Sequence, residues 1–229
     1  MISIIIPTLN EERYLKSTME SIKGQQYNGH YEIIVADGQS RDRTLKIAKN
    51  YTKKLIIVKK KGISAGRNAG AKKSKGDILL FLDADTKIDP NALKEFEKVF
   101  KDDKIVGVSV LLRPSRHSIL NEVSYMIFNI ISKSSVKLGK PLLAGVCVAY
   151  RKTAFERVCG FDEKLKSGED LDMSLRTSKL GKCLILDDIY VSTSTRRLDN
   201  WGPVKFLYRY FKTYFTGKMC GNGEYEPVR

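Results

Sequence analysis

The segment Asp77-Ile78-Leu79-Leu80-Phe81-Leu82-Asp83-Ala84-Asp85-Thr86 joins an apolar run of strand length to two carboxylates that flank one small residue. A continuous apolar run predicts a strand buried on both faces, as in the middle of a parallel sheet. Ligands of open α/β sheets bind beyond the carboxyl ends of such strands. Two carboxylates there suit Mg²⁺ or Mn²⁺, whose remaining ligands are usually phosphates and water. The segment therefore indicates metal-assisted chemistry on a phosphate-containing substrate, although it is also compatible with a simple turn before Pro90.

The bulk properties of the chain limit its class. Its 229 residues are enough for one sizeable domain, or for a domain with an appendage. The opening segment lacks a basic leader, and no apolar stretch reaches the ~18 residues of a membrane helix, so we expect a soluble or peripheral protein. The cysteines show no C-x-x-C spacing, which predicts reduced thiols in a cytoplasmic protein and neither a zinc site nor a disulfide framework.

The formal net charge of +15 predicts an anionic partner. Phosphorylated substrates, an anionic membrane and nucleic acid all fit, as does a solvated lysine-rich surface of the kind found in heat-adapted proteins. The chain has no recognisable module for reading nucleic acid, and aspartates at strand ends repel phosphate unless a metal intervenes. We therefore expect no nucleic-acid partner.

Strand and helix patterns alternate along the first half, which predicts a mostly parallel central sheet with helices on both faces. Strand patterns cover residues 2–6, 32–36, 55–58, 77–82, 105–112, 142–150, 183–186 and 190–193. Helical patterns cover about 11–23, 42–51, 64–73, 90–100, 119–137, 168–180 and 203–217. We expect one α/β domain over residues 1–200, with a nucleotide-binding half at 1–100 and an acceptor-facing half at 101–200. A C-terminal amphipathic helix and tail would occupy 201–229.

Polar motifs follow the first two strands, at the edge of the sheet where ligands bind. They are Pro7-Thr8-Leu9-Asn10-Glu11-Glu12 and Asp37-Gly38-Gln39-Ser40-Arg41-Asp42. Thr8 or Asn10 could also cap the first helix, with the acidic pair in its first turn, and Ser40 could cap the second. Neither G-x-G-x-x-G nor a Walker motif is present, which argues against dinucleotide enzymes and P-loop NTPases.

Two further motifs lie near helix starts. In Gly62-Ile63-Ser64-Ala65-Gly66-Arg67-Asn68-Ala69-Gly70, the glycines allow close helix approach, and Arg67 could reach a phosphate or base. Packing without a ligand explains this motif equally well. In Gly168-Glu169-Asp170-Leu171-Asp172, a carboxylate in the first helical turn suits a general base. The alternative is an N-cap at Ser167 with Asp170 as its capping-box partner.

Taken together, these motifs resemble the family-2 glycosyltransferases, which have the GT-A fold. The resemblance covers about residues 1–200 and rests on the ordered segments 3–11, 35–44, 65–70, 76–86 and 168–176. Many members have two acidic residues after the second strand, whereas Gly38 takes the second place here. The Gln-x-x-Arg-Trp motif of the processive polymerising members is absent, so the resemblance implies a non-processive enzyme.

The resemblance also implies roles for individual residues. Asp170 would be the catalytic base, Glu169 an acceptor contact and Asp85 the ligand of Mn²⁺ or Mg²⁺. Asp37 would contact the base of the donor, and Asp83 its ribose or sugar. The donor-binding set as a whole would be Pro7, Thr8, Asn10, Glu11, Asp37, Arg67, Asp83 and Ala84. The implied reaction moves a sugar from a UDP-, GDP- or dTDP-sugar to an acceptor hydroxyl with inversion. Alternatives are a non-catalytic sugar-nucleotide-binding protein and a nucleotidyltransferase.

The C-terminal segment suggests a membrane contact. On a helix from Pro203, the basic residues Lys205, Arg209 and Lys212 share one face. The apolar residues on the other face would be Val204, Leu207, Phe211, Tyr214 and Phe215. The apolar helix 119–137, with Leu120, Val123, Ile127, Ile130 and Ile131 on one side, could extend this surface. A helix packed on its own domain shows the same pattern.

These patterns predict an enzyme on the inner face of the cell membrane that acts on a glycan or lipid-linked acceptor. The pair Arg196-Arg197 could clamp the diphosphate or an anionic acceptor, because paired arginines match phosphate geometry. The pair could equally be surface charge.

Overall fold

A computed structural model describes residues 1–216, and of the last seven of these it describes the side chains of Phe211 and Lys212. The described strands form one mixed, mostly parallel sheet in the order β3-β2-β1-β4-β7-β6-β8-β5. The neighbours β3, β2, β1 and β4 are parallel, β7 runs antiparallel to both β4 and β6, β8 is parallel to β6, and β5 is antiparallel to β8. The strands are β1 (Ile2–Thr8), β2 (Tyr31–Asp37), β3 (Lys54–Ile57), β4 (Ile78–Leu82), β5 (Thr86–Ile88), β6 (Ile105–Pro114), β7 (Cys147–Arg151) and β8 (Lys182–Thr193).

Helices cover both faces of this sheet, which confirms the predicted α/β class. They are α1 (Leu15–Lys23), α2 (Thr44–Lys49), α3 (Ile63–Lys72), α4 (Ala92–Val99), α5 (Ile119–Lys137), α6 (Lys152–Arg157), α7 (Glu169–Thr177), α8 (Arg196–Trp201) and α9 (Pro203–Thr216). Every residue of β4 is buried: Leu80 and Leu82 enter one apolar core, and Leu79 and Phe81 enter the core on the opposite face. The predicted central buried strand is therefore confirmed. Within residues 1–216, none of the helices is long and apolar enough to cross a bilayer.

Helix α3 lies against β1, as its glycines predict. A Cβ atom at Gly70 would lie 2.3 Å from Cγ2 of Ile5, and one at Gly66 would lie 3.2 Å from Cβ of Pro7. The contact at Gly70 leaves no room for a side chain and the one at Gly66 is tighter than an ordinary side-chain contact, so the close approach is confirmed. It holds Arg67, which lies between the two glycines, against the carboxyl ends of β1 and β4.

Several predicted boundaries in the second half were wrong. Residues 142–146 are not a strand, because both backbone groups of Leu142 bond to serines of α5 and not to a neighbouring strand. The two short strands at 183–186 and 190–193 are one strand, β8, whose pairing with β6 shifts at residues 187–189. The turn after Asp85 contains a short strand, β5, which pairs with β8. Helices α6 and α8, each of six residues, were not predicted.

Helix α9 packs on the domain through Phe206, which the predicted apolar face did not include, and through Leu207, which it did. The ring of Phe206 stacks on Tyr125 of α5 with centroids 6.0 Å apart, whereas Val204 is 81% exposed and Phe211 45% exposed. Leu207 does pack against the core. The predicted Tyr214 and Phe215 lie outside the described side chains, as does the tail at 217–229.

Candidate active site

The ends of β1 and β2 are joined by hydrogen bonds around Asp37. This aspartate is fully buried, and its carboxylate accepts from Thr8 Oγ1 at 2.8 Å and from the Ser40 backbone N at 2.7 Å. The Ser40 hydroxyl also donates to Asp37 and accepts from the Asn10 backbone N at 2.8 Å. These bonds fix the rotamer of Asp37 and hold the two loops side by side.

The predicted helix caps in these loops were wrong. Helix α1 begins at Leu15, with Tyr14 at its N-cap, so neither Thr8 nor Asn10 caps it and the acidic pair precedes its first turn. The N-cap of α2 is Arg43, not Ser40. The polar side chains bond across the two loops instead of to the helix ends, because the strand ends lie close enough to exchange hydrogen bonds.

Arg67 joins three distant segments at the centre of the site. Its guanidinium is almost fully buried and donates to Glu169 Oε1 at 2.9 Å, to Asp83 Oδ1 at 3.1 Å and to the carbonyl of Gly145 at 2.8 Å. Burial raises the pKa of Asp83, while Arg67 opposes that rise. Arg67 therefore binds two carboxylates of the predicted site directly. Its predicted role as a donor contact stays a prediction.

Asp170 lies in the first turn of α7 and points to the same cluster. The N-cap of α7 is Gly168, in a left-handed conformation with φ of 75°, and the helix has no side-chain cap, so the capping box from Ser167 was a wrong prediction. The Asp170 carboxylate instead accepts from the backbone N atoms of Gly145, at 3.1 Å, and Leu171, at 2.9 Å. Burial, followed by the neighbouring Glu169, raises the pKa of Asp170 to about 6, against the effect of Arg67. Such a carboxylate is ionised at neutral pH and still basic enough to accept a proton.

A second arginine binds the carboxylates on the other side of the site. Arg196, the first residue of α8, donates through Nη2 to Asp85 Oδ2 at 2.7 Å and to both carboxylate oxygens of Glu11, at 3.1 and 3.2 Å. Its guanidinium lies 4.6 Å from the ring centroid of Tyr14. Burial raises the pKa of Glu11 to about 7, Arg196 opposes this, and Asp85 adds to it. The cluster of negative charge at Glu11 and Asp85 is thus held by one cation.

Two further predicted residues lie at this cluster. The charge of Arg197 lowers the pKa of Asp83, which places Arg197 within electrostatic range of it. Ala84 is buried between the two aspartates, and its carbonyl accepts from Thr18 Oγ1 of α1 at 2.7 Å. The loop that carries Asp83 and Asp85 is therefore anchored on α1 as well as on β4.

The carboxylates of Asp85 and Glu11 fit a divalent metal whose remaining ligands come from a substrate and water. Carboxylate oxygens are hard ligands of the kind that such metals prefer. Those of Asp85 and Glu11 both accept hydrogen bonds from Nη2 of the Arg196 guanidinium, so they already lie around one positive charge. Within the described residues, no group of three or more His, Cys, Asp or Glu side chains is arranged to hold an ion by itself. Mg²⁺ is commonly bound by one or two carboxylates together with substrate phosphates and water, and these residues match that pattern.

Two site residues, Gly145 and Tyr14, were not predicted from the sequence. The carbonyl of Gly145 binds Arg67 and its amide binds Asp170, and a Cβ atom there would lie 2.9 Å from Arg67 Nη2. The small pair Ala144-Gly145 was the available signal, but the surrounding apolar residues led us to predict a strand. Tyr14, which stacks on Arg196, was missed too, because only the fold brings the two together.

Comparisons with known proteins agree with this geometry. The model of the family described as Glycosyl transferase family 2 matches residues 3–159. A Methanococcus voltae protein, named dolichyl N-acetyl-alpha-D-glucosaminyl phosphate 3-beta-D-2,3-diacetamido-2,3-dideoxy-beta-D-glucuronosyltransferase, is 28% identical over 211 residues, which are 84% of this chain and 66% of that protein.

Two solved structures share the fold. The mannosyltransferase PcManGT from Pyrobaculum calidifontis, in complex with GDP-Man and Mn²⁺, superposes with a TM-score of 0.73 at 19% identity. The superposition covers 95% of this chain and 65% of the PcManGT chain. S. aureus TarS in complex with UDP-GlcNAc superposes with a TM-score of 0.64 at 21% identity. That superposition covers 84% of this chain and 58% of the TarS chain. The chain therefore spans about three fifths to two thirds of the length of these proteins.

Proposed function

Because the chain belongs to glycosyl transferase family 2, we propose that it moves a sugar from a UDP-, GDP- or dTDP-sugar to an acceptor hydroxyl, with inversion at the anomeric carbon. The observation that carries the proposal is Asp170, a half-buried carboxylate with a pKa of about 6, held by the Gly145 amide beside the Arg67–Glu169 pair. The two solved neighbours are complexes with GDP-Man and with UDP-GlcNAc, which are donors of the proposed class.

In the proposed reaction, Asp170 takes the proton of the acceptor hydroxyl as its oxygen attacks the anomeric carbon. The new carbon–oxygen bond forms on the face opposite the bond to the nucleoside diphosphate, and that bond breaks with both electrons going to the leaving group. Glu169, fixed by Arg67, would orient the acceptor. A single displacement of this kind inverts the anomeric carbon, and the fixed positions of base and donor contribute much of the rate.

Donor binding would use the loops after β1, β2 and β4. Asp37 would bind the base, with Pro7, Thr8 and Asn10 beside it, and Asp83 would bind the ribose or sugar. Mn²⁺ or Mg²⁺ at Asp85 would supply positive charge to the departing diphosphate. Arg196 and Arg197 would contribute two further cations on that side.

The acceptor proposed is a glycan or a lipid-linked glycan on the cytoplasmic side of a membrane. The name of the Methanococcus voltae relative supports this choice, since it includes a dolichyl N-acetyl-glucosaminyl phosphate, which is a lipid-linked sugar. The test is to incubate the chain with nucleotide sugars and membrane lipid extracts, then identify the products. Release of a nucleoside diphosphate with glycosylation of a lipid would support the proposal, whereas release of pyrophosphate would make the chain a nucleotidyltransferase.

Arg196 is expected to exchange its carboxylate partners when donor and metal bind. Since Arg196 Nη2 already contacts both Glu11 and Asp85, metal alone must compete with it. The variant Arg196→Gln is therefore expected to bind Mn²⁺ alone roughly tenfold more tightly than the unchanged chain, because removing a bound cation exposes two carboxylates. Donor nucleotide should bind it more weakly. Free Mn²⁺ measured by electron paramagnetic resonance reports the first effect directly.

The matched control is Arg113→Gln. Arg113 is exposed, and its guanidinium lies 3.6 Å from the ring centroid of Tyr190. The guanidinium bonded to Glu11 and Asp85 is that of Arg196, so the control removes the same charge without removing a bond to either carboxylate and should not alter Mn²⁺ binding. Unchanged or weaker Mn²⁺ binding in Arg196→Gln would contradict the proposed exchange.

A further inference from the structure

Helix α5 exposes a row of apolar side chains along its outer face. Ile119 is 87% exposed, Val123 42%, Met126 54% and Ile130 55%. Their spacing of four, three and four residues places them on one side of the helix. Leu120, 54% exposed, widens the row. Single exposed apolar residues are common, but a contiguous set of five on one helix indicates a contact surface. These five residues are called the α5 row.

Hydrogen bonds on the opposite face hold the row outward. Asn129 exchanges two hydrogen bonds with the backbone of Leu112, at 3.0 and 2.9 Å. Ser132 Oγ donates to the carbonyl of Leu142 at 2.6 Å, and Ser135 Oγ accepts from the amide of the same residue at 2.8 Å. A rotation of α5 that buried the row would break these bonds and leave buried polar groups unpaired, which is unfavourable. The fold therefore presents the row to the outside.

The charges around the row select the kind of partner. Arg116 precedes the helix with its side chain 77% exposed and 3.7 Å from the exposed Asp199. Lys133, 2.9 Å from the exposed Asp187, and the exposed Lys137 lie in the last turns. Both ion pairs are at the surface, where such pairs are weak, so both cations can exchange to lipid phosphates. The acidic side chain in the first turn, Glu122, is bonded to His117 at 2.7 Å. Lysine is depleted in the cores of protein interfaces. Apolar residues flanked by cations match the boundary between acyl chains and headgroups of a bilayer that contains anionic lipids.

We propose that the α5 row docks on an anionic membrane surface, with the apolar side chains in the acyl boundary and the flanking cations on lipid phosphates. The inference deepens the proposed function, since a lipid-linked acceptor would lie in the same membrane. The segment that follows α5 leads directly to the site: Leu142 is anchored on α5, and Gly145 binds Asp170 and Arg67. Membrane contact and the position of the base are therefore linked through one short segment.

The test is flotation of the full chain with vesicles of phosphatidylcholine, with and without phosphatidylglycerol. We expect binding that requires phosphatidylglycerol and weakens with added salt. The single variant Ile130→Ser should weaken binding about tenfold, because one apolar side chain no longer leaves water. The triple variant Val123→Ser, Met126→Ser, Ile130→Ser should abolish it. The matched control is Ile57→Ser, which removes an equally exposed isoleucine, 52% against 55%, from strand β3 at the far edge of the sheet.

The midpoint of thermal unfolding, and its rise on addition of UDP, GDP, dTDP or CDP with Mn²⁺, are measured on the same samples. Retention of both in the triple variant shows that it is folded, so loss of flotation then supports docking by the row. Equal flotation of the triple variant and the unchanged chain would overturn the inference. The inference would also be overturned if the unchanged chain did not float with vesicles at all. It would be overturned in favour of a protein partner if the unchanged chain were a dimer and the triple variant a monomer. Vesicle binding without any nucleotide effect would leave the membrane surface standing and count against the proposed function.

Discussion

Replacing Asp170 by asparagine is expected to lower the rate of sugar transfer by ~10²–10⁴-fold, the usual contribution of a positioned base, while donor nucleotide still binds. The amide keeps the shape of the side chain but accepts no proton. The pH dependence should agree: since the pKa of Asp170 is about 6, kcat/KM of the unchanged enzyme should fall as the pH drops below about 6, where the base becomes protonated. Initial rates and nucleotide-induced thermal shifts measure the two properties separately.

Asp172→Asn is the matched control for this change. It makes the same replacement on the same helix, but Asp172 bonds to Arg176 Nε at 2.9 Å, outside the contacts of the Arg67 cluster. A surface pair of this kind contributes little, so the control should retain transfer. Full transfer activity in Asp170→Asn would refute the assignment of the base.

Replacing Arg67 by methionine is expected to have the largest effect on stability. The guanidinium is buried and paired with both Asp83 and Glu169, so its loss leaves two carboxylates without their cation. Breaking a buried pair by removing one partner costs about 3–5 kcal/mol in the free energy of unfolding. Arg67→Lys should recover only part of this loss, because an ammonium group cannot reproduce the planar fork that reaches two carboxylates and the Gly145 carbonyl. Urea unfolding measures the change.

Arg176→Met serves as the control for that loss. It removes a half-buried arginine that pairs with one carboxylate, Asp172, four residues away on α7 and donates to the carbonyl of Val158 at 2.6 Å. The free energy of unfolding should change by about 1–2 kcal/mol, the sum of a weak ion pair and one hydrogen bond. Similar losses for Arg67→Met and Arg176→Met would contradict the central role of the Arg67 cluster.

The sequence predicted the elements whose signals are local. The buried run of β4 predicted both its position in the sheet and the place of Asp83 and Asp85, since one uninterrupted apolar segment contains all that information. The glycines of α3 likewise predicted a close approach to β1. The cap predictions failed because Ser40 and Asn10 find partners across two loops, and a short sequence window shows only the nearer backbone.

The contacts that close the site could not be predicted from local patterns. Arg196 meets Asp85 across 111 residues, and Arg67 meets Glu169 across 102. Strand β5 forms only because β8 lies beside it, and three residues in a turn carry no strand signal of their own. Gly145 acts through its backbone, which a sequence pattern does not reveal.

A metal-assisted donor site at the strand ends is tested by thermal unfolding with UDP, GDP, dTDP and CDP and their common sugar conjugates, each with Mn²⁺ and with EDTA. A ligand that binds only the folded state raises the midpoint. We expect one nucleotide series to stabilise the chain with Mn²⁺ and not with EDTA, and we expect Asp85→Asn to lose this stabilisation. No shift with any nucleotide, or a shift unaffected by EDTA and by Asp85→Asn, would contradict a metal-assisted donor site at these strand ends.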